Sequence, residues 1–250
     1  AQAGVRYSID NPDIYLNTNI LGTFNVIKIA NKISVKHLII GSSSSVYGAN
    51  KKIPFKEIDK TDHQVSFYAA TKKSTESLAH SYSSLWKLPI TMLRFFTVYG
   101  PFGRPDMAYY KFTKKILEGK KIDIYNKGKM YRDYTYVDDI VDGIYKLINK
   151  IPVLNSKKKF KNDSLSPVAP FRILNIGNTE KILLLDFVNT LENELNIKIK
   201  KNYLAMQKGD VYSTLSDSSL LKRITGYNPK TNYKIGIKKF INWYLNYYKN

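Results

Sequence analysis

The chain has 250 residues, of which 43% are hydrophobic, so it can form one large domain or two small ones around a buried core. The absence of cysteine excludes disulfides and thiolate metal sites, and three histidines without ligand spacing argue against a zinc site. No apolar run approaches the roughly 18 residues that a membrane span needs. The formal net charge of +20 comes mainly from lysines spread along the chain, which favours a solvated basic surface over a nucleic-acid binder. A reducing, cytoplasmic location fits this composition.

The first hundred residues alternate between helical and strand patterns. Apolar residues at helical intervals predict one long helix over 11–33, followed by an apolar strand, KHLIIG, that leads into the serine tract at 42–45. Good helix formers predict a second helix over 66–87. The segment LPITMLRFFTVYG then reads as one strand that ends before Pro101.

The remaining residues continue the alternation. A helix is predicted over 109–118, then the strand KIDIY, a strand-like entry into a helix at 132–149, the strand FRILNIGN, and further helices around the strand IKIKKNYL. Such alternation indicates a parallel sheet with helices on both faces. Ligands of these sheets bind beyond the carboxyl ends of the strands, which predicts a site in the loops 41–48, 97–106 and 177–179. The segment 155–170, with the basic run KKKFK, is predicted to be a flexible loop.

Four Tyr-x-x-x-Lys spacings occur among the 20 tyrosines, close to the number that random placement would give. Only Tyr68 and Lys72 stand on a helix that follows a strand ending in hydroxyl side chains. A tyrosine with its ordinary pKa near 10 is a poor base at neutral pH, and an ammonium one helical turn away would lower that pKa. The serine tract itself has two interpretations, a polar turn or a set of hydroxyls that hydrogen-bond a substrate hydroxyl.

Six motifs occur in an order that resembles the extended short-chain dehydrogenase/reductase family. They are SSSSVYG, YAATK, RFFTVYGPFGRPDMA, RDYTYVDDI, NIGN and GDVYSTLSD with LKRITGYNPKT. Together they are similar to NAD-dependent sugar-nucleotide epimerases, above all to UDP-glucuronate 4-epimerases. The resemblance implies an α/β fold, with a Rossmann-type doubly wound sheet for NAD over 1–100 and 134–178. It also implies a smaller α/β substrate-binding domain for the nucleotide sugar over 101–133 and 179–250.

The resemblance also assigns roles by position. Tyr68 would be the catalytic base and Lys72 its activator, while Ser43 would be the catalytic hydroxyl and Asn19 would position a water near the lysine. The cofactor-binding residues would be Tyr68, Lys72, Ser42 and Phe95, and the substrate-binding residues would be Arg6, Ser44, Thr97, Arg104 and Arg132.

Two of these arginines would recognise the charges of the substrate. Thr97 and Arg104 would lie at the C5 carboxylate of the sugar, for which the planar fork of a guanidinium is well suited. Arg132 would bind the diphosphate. The alternatives are a surface position for Arg104, before a helix that starts at Pro105, and an ion pair of Arg132 with Asp133 or another nearby acid.

The implied reaction is redox-neutral. Tyr68 takes the proton of the sugar 4-hydroxyl, hydride passes from C4 to NAD, the 4-keto sugar turns, and hydride returns to the opposite face. Ser44 and Ser45 stand where dehydratases and decarboxylases of the family carry acidic residues, which favours epimerisation. We therefore expect UDP-glucuronate to be converted to UDP-galacturonate for surface polysaccharide. The alternatives are a UDP-glucose or UDP-N-acetylhexosamine 4-epimerase, or an inactive remnant of such an enzyme.

Three further expectations concern NAD binding, the oligomeric state and a pair of neighbouring acidic residues. The sequence has no Gly-x-Gly, and in the family the glycine-rich turn for the pyrophosphate lies before the point where this chain begins, so we expect weak NAD binding and doubtful turnover by the chain alone. A full-length enzyme would be a homodimer through a bundle of the 11–33 and 66–87 helices. Asp138 and Asp139 are predicted to cap a helix rather than to bind metal.

Overall fold

The computed structural model describes residues 1–154, 160, 162–207 and 209–248. The α-helices are α1 (Tyr7–Asp10), α2 (Pro12–Tyr15), α3 (Gly22–Lys32), α4 (Phe67–Trp86), α5 (Ala108–Leu117), α6 (Val137–Leu147), α7 (Leu184–Leu195), α8 (Ser219–Thr225) and α9 (Tyr233–Tyr247). The strands are β1 (Leu38–Ser43), β2 (Ile90–Phe95), β3 (Thr97–Tyr99), β4 (Ile122–Tyr125), β5 (Tyr131–Arg132), β6 (Tyr134–Tyr136), β7 (Phe171–Ile176), β8 (Ile182–Leu183) and β9 (Lys201–Leu204). The basic run at 157–161, apart from Phe160, lies outside the described residues.

The central sheet is parallel, with strand order β1-β2-β7. Its strands are short apolar runs because both faces are covered. Ile90 and Met92 of β2 pack in a core with α3 and α4, whereas Leu93 packs in a second core with α6 and α8. The predicted α/β architecture, with helices on both faces of a parallel sheet, is therefore confirmed.

The long helix predicted over 11–33 is present, with a change of pitch in its middle. Between α2 and α3, the residues Leu16–Leu21 form a π-helical segment whose buried residue is Asn19. Single π-helical turns of this kind occur frequently at functional sites. The sequence pattern, which records only which positions are apolar, does not reveal this widening.

Helix α4 carries the Tyr68/Lys72 pair and presents one narrow face to the sheet. The Ser66 side chain caps its first turn by accepting a hydrogen bond from the backbone N–H of Ala69, and Lys87 ends it in the left-handed conformation at φ 55°. The buried residues recur every three or four positions, which places one lysine and one glutamate on the inward face. They are Ala69, Thr71, Lys72, Thr75, Glu76, Ala79 and Ser83.

The single strand predicted for LPITMLRFFTVYG is wrong, because the structure divides it at Phe96. β2 belongs to the central sheet, and β3 pairs in parallel with β6. Phe96 lies between the two strands, and its ring is buried beside Tyr47 and Phe55. The chain changes direction at this residue. The turn directs the loop after β3 across the carboxyl ends of the central strands.

A separate aromatic core lies among α5, α7, α9, β4 and β6. Tyr134 stacks on Phe187 with ring centroids 4.1 Å apart, and Tyr99 contacts both rings edge-on. Gly236 of α9 has no side chain where a methyl group would overlap the Tyr99 hydroxyl. The division into two domains remains a prediction. The separation of the aromatic core from the cores of the central sheet supports it.

Asp133 joins segments that are distant in sequence. Its buried carboxylate accepts hydrogen bonds from the backbone N–H groups of Asn178, Thr179 and Ser216. Asp139, predicted to cap α6, lies in the first turn of that helix but accepts from the backbone of Lys230 and Thr231 instead.

Among the residues that the structure describes, no helix is both long and apolar enough to cross a membrane.

Candidate active site

Two large cavities meet at the carboxyl ends of β1 and β2. The first, of about 1010 Å³, is lined by residues of the 41–48 and 97–106 loops and by α4, and the second, of about 960 Å³, lies towards α5 and β4. Thr97 and Arg104 line both. The third loop that was expected to form the site, 177–179, lines neither of them, because its backbone is bound to Asp133.

Tyr68 and Lys72 both line the first cavity, and no other of the four Tyr-x-x-x-Lys pairs has both members in either large cavity. The Lys72 side chain is buried, and its ammonium donates a hydrogen bond of 2.8 Å to the carbonyl oxygen of Gly41 at the end of β1. The lysine therefore ties α4 to the strand that carries the serine tract. Its burial lowers its own pKa.

Burial, a hydroxyl and an arginine act on the acidity of the Tyr68 phenol. Burial raises the pKa of the Tyr68 phenol above its ordinary value, while the Ser43 hydroxyl and the positive charge of Arg104 lower it. Ser43 and Arg104 therefore both favour the phenolate of Tyr68. The role of Lys72 as the activator of Tyr68 stays a prediction.

The hydroxyl groups of the serine tract have different surroundings: some line the cavity, and one is bound in the protein interior. Ser43 caps a short 3-10 turn by accepting from the backbone N–H of Ser45 at 3.2 Å, and it lines the first cavity together with Ser44. The Ser42 hydroxyl is buried and donates to the Glu76 carboxylate at 2.7 Å. The side chain of Ser42 is thereby bound to the interior, although the residue also lines the cavity.

A buried ion pair that the sequence analysis missed lies behind this tract. Arg94 donates to the two carboxylate oxygens of Glu76 from Nε and Nη2, both at 2.9 Å, and both side chains are 2% exposed. Burial raises the pKa of Glu76, but the hydrogen bonds and charge of Arg94 outweigh it, so the pKa lies below its ordinary value. An arginine within the apolar run LPITMLRFF could have signalled the pair, since a buried charge needs a partner.

Asn19 lies beneath α4 and not in the cavity wall. Its Nδ2 donates to the carbonyl oxygen of Gln2 at 2.9 Å and to the hydroxyl of Thr71, the neighbour of Lys72, at 3.1 Å. Its Oδ1 is buried and accepts no hydrogen bond from any described residue. A buried amide oxygen without a protein donor is the usual partner of an internal water.

Arg104 is held at the junction of the two cavities by a neighbouring carboxylate. Its Nε donates to Oδ1 of Asp106 at 2.9 Å, and its Nη2 donates to Oδ2 at 2.7 Å. Its side chain is 47% exposed and lines both cavities, so the structure is compatible with the surface alternative and with the predicted substrate-binding role.

The second cavity carries an excess of positive charge. Arg6 forms an ion pair with Asp210 at 3.0 Å and lies over the Tyr125 ring, with its guanidinium carbon 4.6 Å from the centroid. Arg132 donates to the carbonyl oxygen of Tyr131 at 2.8 Å, and burial lowers its pKa. The proposed ion pair between Arg132 and Asp133 is wrong, because Asp133 accepts backbone hydrogen bonds instead.

The predicted site residues therefore line two adjacent cavities, apart from Asn19. The first cavity is lined by Ser42, Ser43, Ser44, Tyr68, Lys72 and Phe95, the second by Arg6 and Arg132, and both by Thr97 and Arg104. The sequence analysis missed Asp106, Tyr125 and Asp210, which line the second cavity. Within the described ranges, no group of three acidic or histidine side chains could hold a metal ion.

Comparison with known proteins identifies the group to which this arrangement belongs. Residues 1–161 match the model of the NAD dependent epimerase/dehydratase family. The chain is 49% identical to Protein CapI of Staphylococcus aureus, over 100% of the chain and 75% of that protein. It is 46% identical to a probable UDP-glucuronate 4-epimerase of Rhizobium meliloti (strain 1021), over 100% of the chain and 74% of the relative.

A solved structure agrees with this assignment. The UDP-glucuronic acid 4-epimerase of Bacillus cereus, crystallised with UDP-glucuronic acid and NAD, superimposes with a TM-score of 0.85 at 31% identity. The alignment covers 99% of this chain and 74% of that one. By fold, sequence and the placement of its tyrosine and lysine, the chain belongs to the NAD dependent epimerase/dehydratase family.

Proposed function

We propose that the protein is an NAD-dependent epimerase that inverts C4 of a UDP-sugar, with UDP-glucuronate and UDP-galacturonate as the two epimers. One observation carries this proposal: Arg104 lies at the junction between the cavity of Tyr68 and Lys72 and the cationic second cavity. A sugar at that junction has a base on one side and a carboxylate-binding group on the other. The relatives named for UDP-glucuronate 4-epimerisation support the same substrate.

The second cavity suits the UDP portion of the substrate. Arg6, Lys111, Lys115 and Arg132 line it, against the three carboxylates of Asp106, Asp123 and Asp210. A diphosphate would be attracted by this excess of cations, and a guanidinium can hold phosphate oxygens with two parallel hydrogen bonds. A neutral sugar, as in UDP-glucose or a UDP-N-acetylhexosamine, would leave Arg104 without a ligand group, which makes these the alternative substrates.

The first cavity suits the reactive end of NAD. Tyr68, Lys72, Ser42 and Phe95 form the wall that would hold it, and the unpaired Oδ1 of Asn19 would hold a water beneath Thr71 and Lys72. When bound, NAD supplies the acceptor and the donor of the C4 hydride. The chain supplies orientation, proton transfer and the electrostatic field at the sugar.

Tyr68 is the residue that would exchange the proton. As a phenolate it accepts the proton of the sugar 4-hydroxyl when the C4 carbonyl forms, and as a phenol it returns the proton when the carbonyl is reduced on the opposite face. Ser43 would hydrogen-bond the same sugar oxygen. Lys72, whose ammonium donates to the Gly41 carbonyl, would activate Tyr68 because its positive charge favours the phenolate.

The test is the conversion of UDP-glucuronate at an NAD concentration high enough to offset the weak NAD binding expected from the sequence, followed by separation of the two epimers by chromatography. We expect UDP-galacturonate to form, and UDP-glucose to react much more slowly. Tyr68→Phe should lower the rate by about 10²- to 10⁴-fold, because it removes the general base. Tyr145→Phe, at an exposed position on α6, is the matched control and should leave the rate unchanged.

Two outcomes would contradict the proposal. Equal turnover of UDP-glucose and UDP-glucuronate would remove the uronate assignment and favour the alternative substrates. Full activity of Tyr68→Phe would remove the assigned base.

We also propose that the enzyme is a homodimer that associates through α3 and α4. Ile29 and Ile33 on or next to α3, and Leu85 and Trp86 at the end of α4, are exposed apolar side chains. Exposed apolar groups clustered on neighbouring helices support an interface there.

A further inference from the structure

The contact between Arg104 and Asp106 leaves Nη1 of the guanidinium without a hydrogen-bond partner among the described residues. Asp106 receives Nε–H and one N–H of Nη2, which together form one of the two-donor edges of an arginine side chain. Nη2 also donates a weak hydrogen bond to Sδ of Met107 at 3.8 Å, which a carboxylate would displace. Nη1 donates no hydrogen bond to any residue that the structure describes, so the edge formed by Nη1 and Nη2 can still receive a second carboxylate.

We propose that Asp106 is a positioning residue that holds Arg104 by one edge and presents the other edge to the carboxylate of a uronate substrate. The proposal rests on the proposed function and extends it from Arg104 to the residue that orients it. A long arginine side chain loses considerable rotamer freedom when it binds a ligand. A carboxylate that already fixes the guanidinium removes part of that entropy cost before the substrate arrives.

The position of Asp106 fits this role. It lines the second cavity only, whereas Arg104 lines both cavities. The short segment between them contains Pro105, whose fixed φ limits the motion of the two side chains relative to each other. Burial raises the pKa of Asp106, but the hydrogen bonds and charge of Arg104 lower it further, so the carboxylate stays ionised.

A second interpretation of Asp106 predicts the opposite change in uronate affinity when this residue is removed. If Asp106 were a competitor that the substrate must displace, its removal would free Arg104 and strengthen uronate binding, and it would also remove a like charge. If Asp106 positions the arginine, its removal weakens uronate binding. The two interpretations are separated by the direction of one affinity change.

The experiment measures the dissociation constants of UDP, UDP-glucose and UDP-glucuronate by calorimetry for the wild-type chain, Asp106→Asn and Asp106→Ala. We expect Asp106→Ala to weaken UDP-glucuronate binding about tenfold or more, the effect of losing a hydrogen bond to a charged group. UDP and UDP-glucose should change less than twofold. Asp106→Asn, which retains one acceptor for Nε, should recover part of the loss.

Asp123→Asn is the matched control. Asp123 lies in the same cavity and is paired with Lys115 at 3.0 Å, so its substitution removes the same charge without touching Arg104. It should change the affinities for UDP-glucose and UDP-glucuronate by the same factor. Unchanged UDP affinity in the Asp106 variants shows that the fold and the nucleotide site are intact.

The outcomes also separate the two proposals. A wild-type chain that binds UDP-glucose as tightly as UDP-glucuronate overturns the uronate assignment and the role of Asp106 with it. A wild-type chain that prefers UDP-glucuronate, with Asp106 variants that keep or increase that preference, overturns the positioning role alone.

Discussion

At the scale of single residues, the environment of Tyr68 determines how the reaction should depend on pH. Burial raises the Tyr68 pKa, so only a fraction of the free protein carries the phenolate near neutral pH. The base must be deprotonated to accept the 4-hydroxyl proton, and therefore kcat/KM should rise with pH until the Tyr68 pKa is passed. Arg104 lowers that pKa through its positive charge.

Arg104→Gln should therefore move the rising limb of the kcat/KM profile to higher pH, since removal of the cation makes the phenolate less stable. Arg104→Lys retains a charge, although not the planar fork, and should leave the limb closer to its wild-type position. The measurement is the pH profile of kcat/KM with UDP-glucose. This sugar has no carboxylate, so the substitution changes the pKa of Tyr68 without also removing a contact to the substrate. A profile that does not move in Arg104→Gln would show that the Arg104 charge does not act on Tyr68.

Sequence reasoning predicted those site residues whose neighbours in the chain carry the signal. Tyr68, Lys72 and Ser43 could be selected because a strand, a serine tract and a helix follow one another within a short stretch. Asp106 and Asp210 could not, because their importance comes from contacts with Arg104 and Arg6 that only the folded chain creates.

At the scale of elements, the ion pair between α4 and β2 stabilises the frame of the site. Glu76 lies one turn after Lys72 on the inward face of α4, and it binds Arg94 of β2 and the Ser42 hydroxyl of β1. One carboxylate thus connects the helix to two neighbouring strands, close to the point where Lys72 binds Gly41. The sequence indicated the helix and the strands, but no local pattern indicated which side chains join them.

We expect Glu76→Gln to lower the free energy of unfolding by about 3–5 kcal/mol, because it leaves the Arg94 guanidinium buried without a counter-ion. Urea unfolding at pH 7 measures the change. Asp142→Asn breaks an exposed i,i+4 pair with Lys146 and should cost about 0.5 kcal/mol or less. A similar small change for Glu76→Gln would show that the buried pair does not hold the elements together.

The same pair predicts a pH dependence of stability. The folded-state pKa of Glu76 lies below its ordinary value of 4.5. The contribution of Glu76 to the free energy of unfolding is therefore fully present above pH 4.5, and it is lost as the pH falls through the folded-state pKa. The difference in stability between the wild-type chain and Glu76→Gln should therefore narrow under acid conditions.

At the scale of the whole molecule, the site lies where two hydrophobic cores adjoin. Strand β1 of the central sheet supplies Ser43, and helix α4 beside it supplies Tyr68 and Lys72. The region near the aromatic core supplies Arg132 and Tyr125. The parallel sheet and its two helical layers could be predicted from the alternation of elements. The division of the second predicted strand into β2 and β3 could not, because it depends on the packing of Phe96 against Tyr47 and Phe55, which are distant in sequence.

The proposed dimer is tested by sedimentation of the chain at micromolar concentration. We expect a dimer for the wild-type chain and a monomer for Ile29→Glu combined with Ile33→Glu, since two buried carboxylates would oppose association. Tyr145→Glu changes an exposed aromatic side chain on α6 and should leave the dimer intact. A wild-type monomer would overturn the assignment of this surface.

The place of Arg104 between the cavities has a consequence for the catalytic cycle itself. The cation that would recognise the substrate is also the cation that makes Tyr68 a stronger acid. A uronate that binds Arg104 adds a negative charge beside it and so weakens its field at the phenol, whereas a neutral sugar leaves that field unchanged. Binding of the acid sugar therefore cancels part of the help that Arg104 gives to the base, and Arg104→Gln should diminish both the preference for the uronate and the acidity of Tyr68.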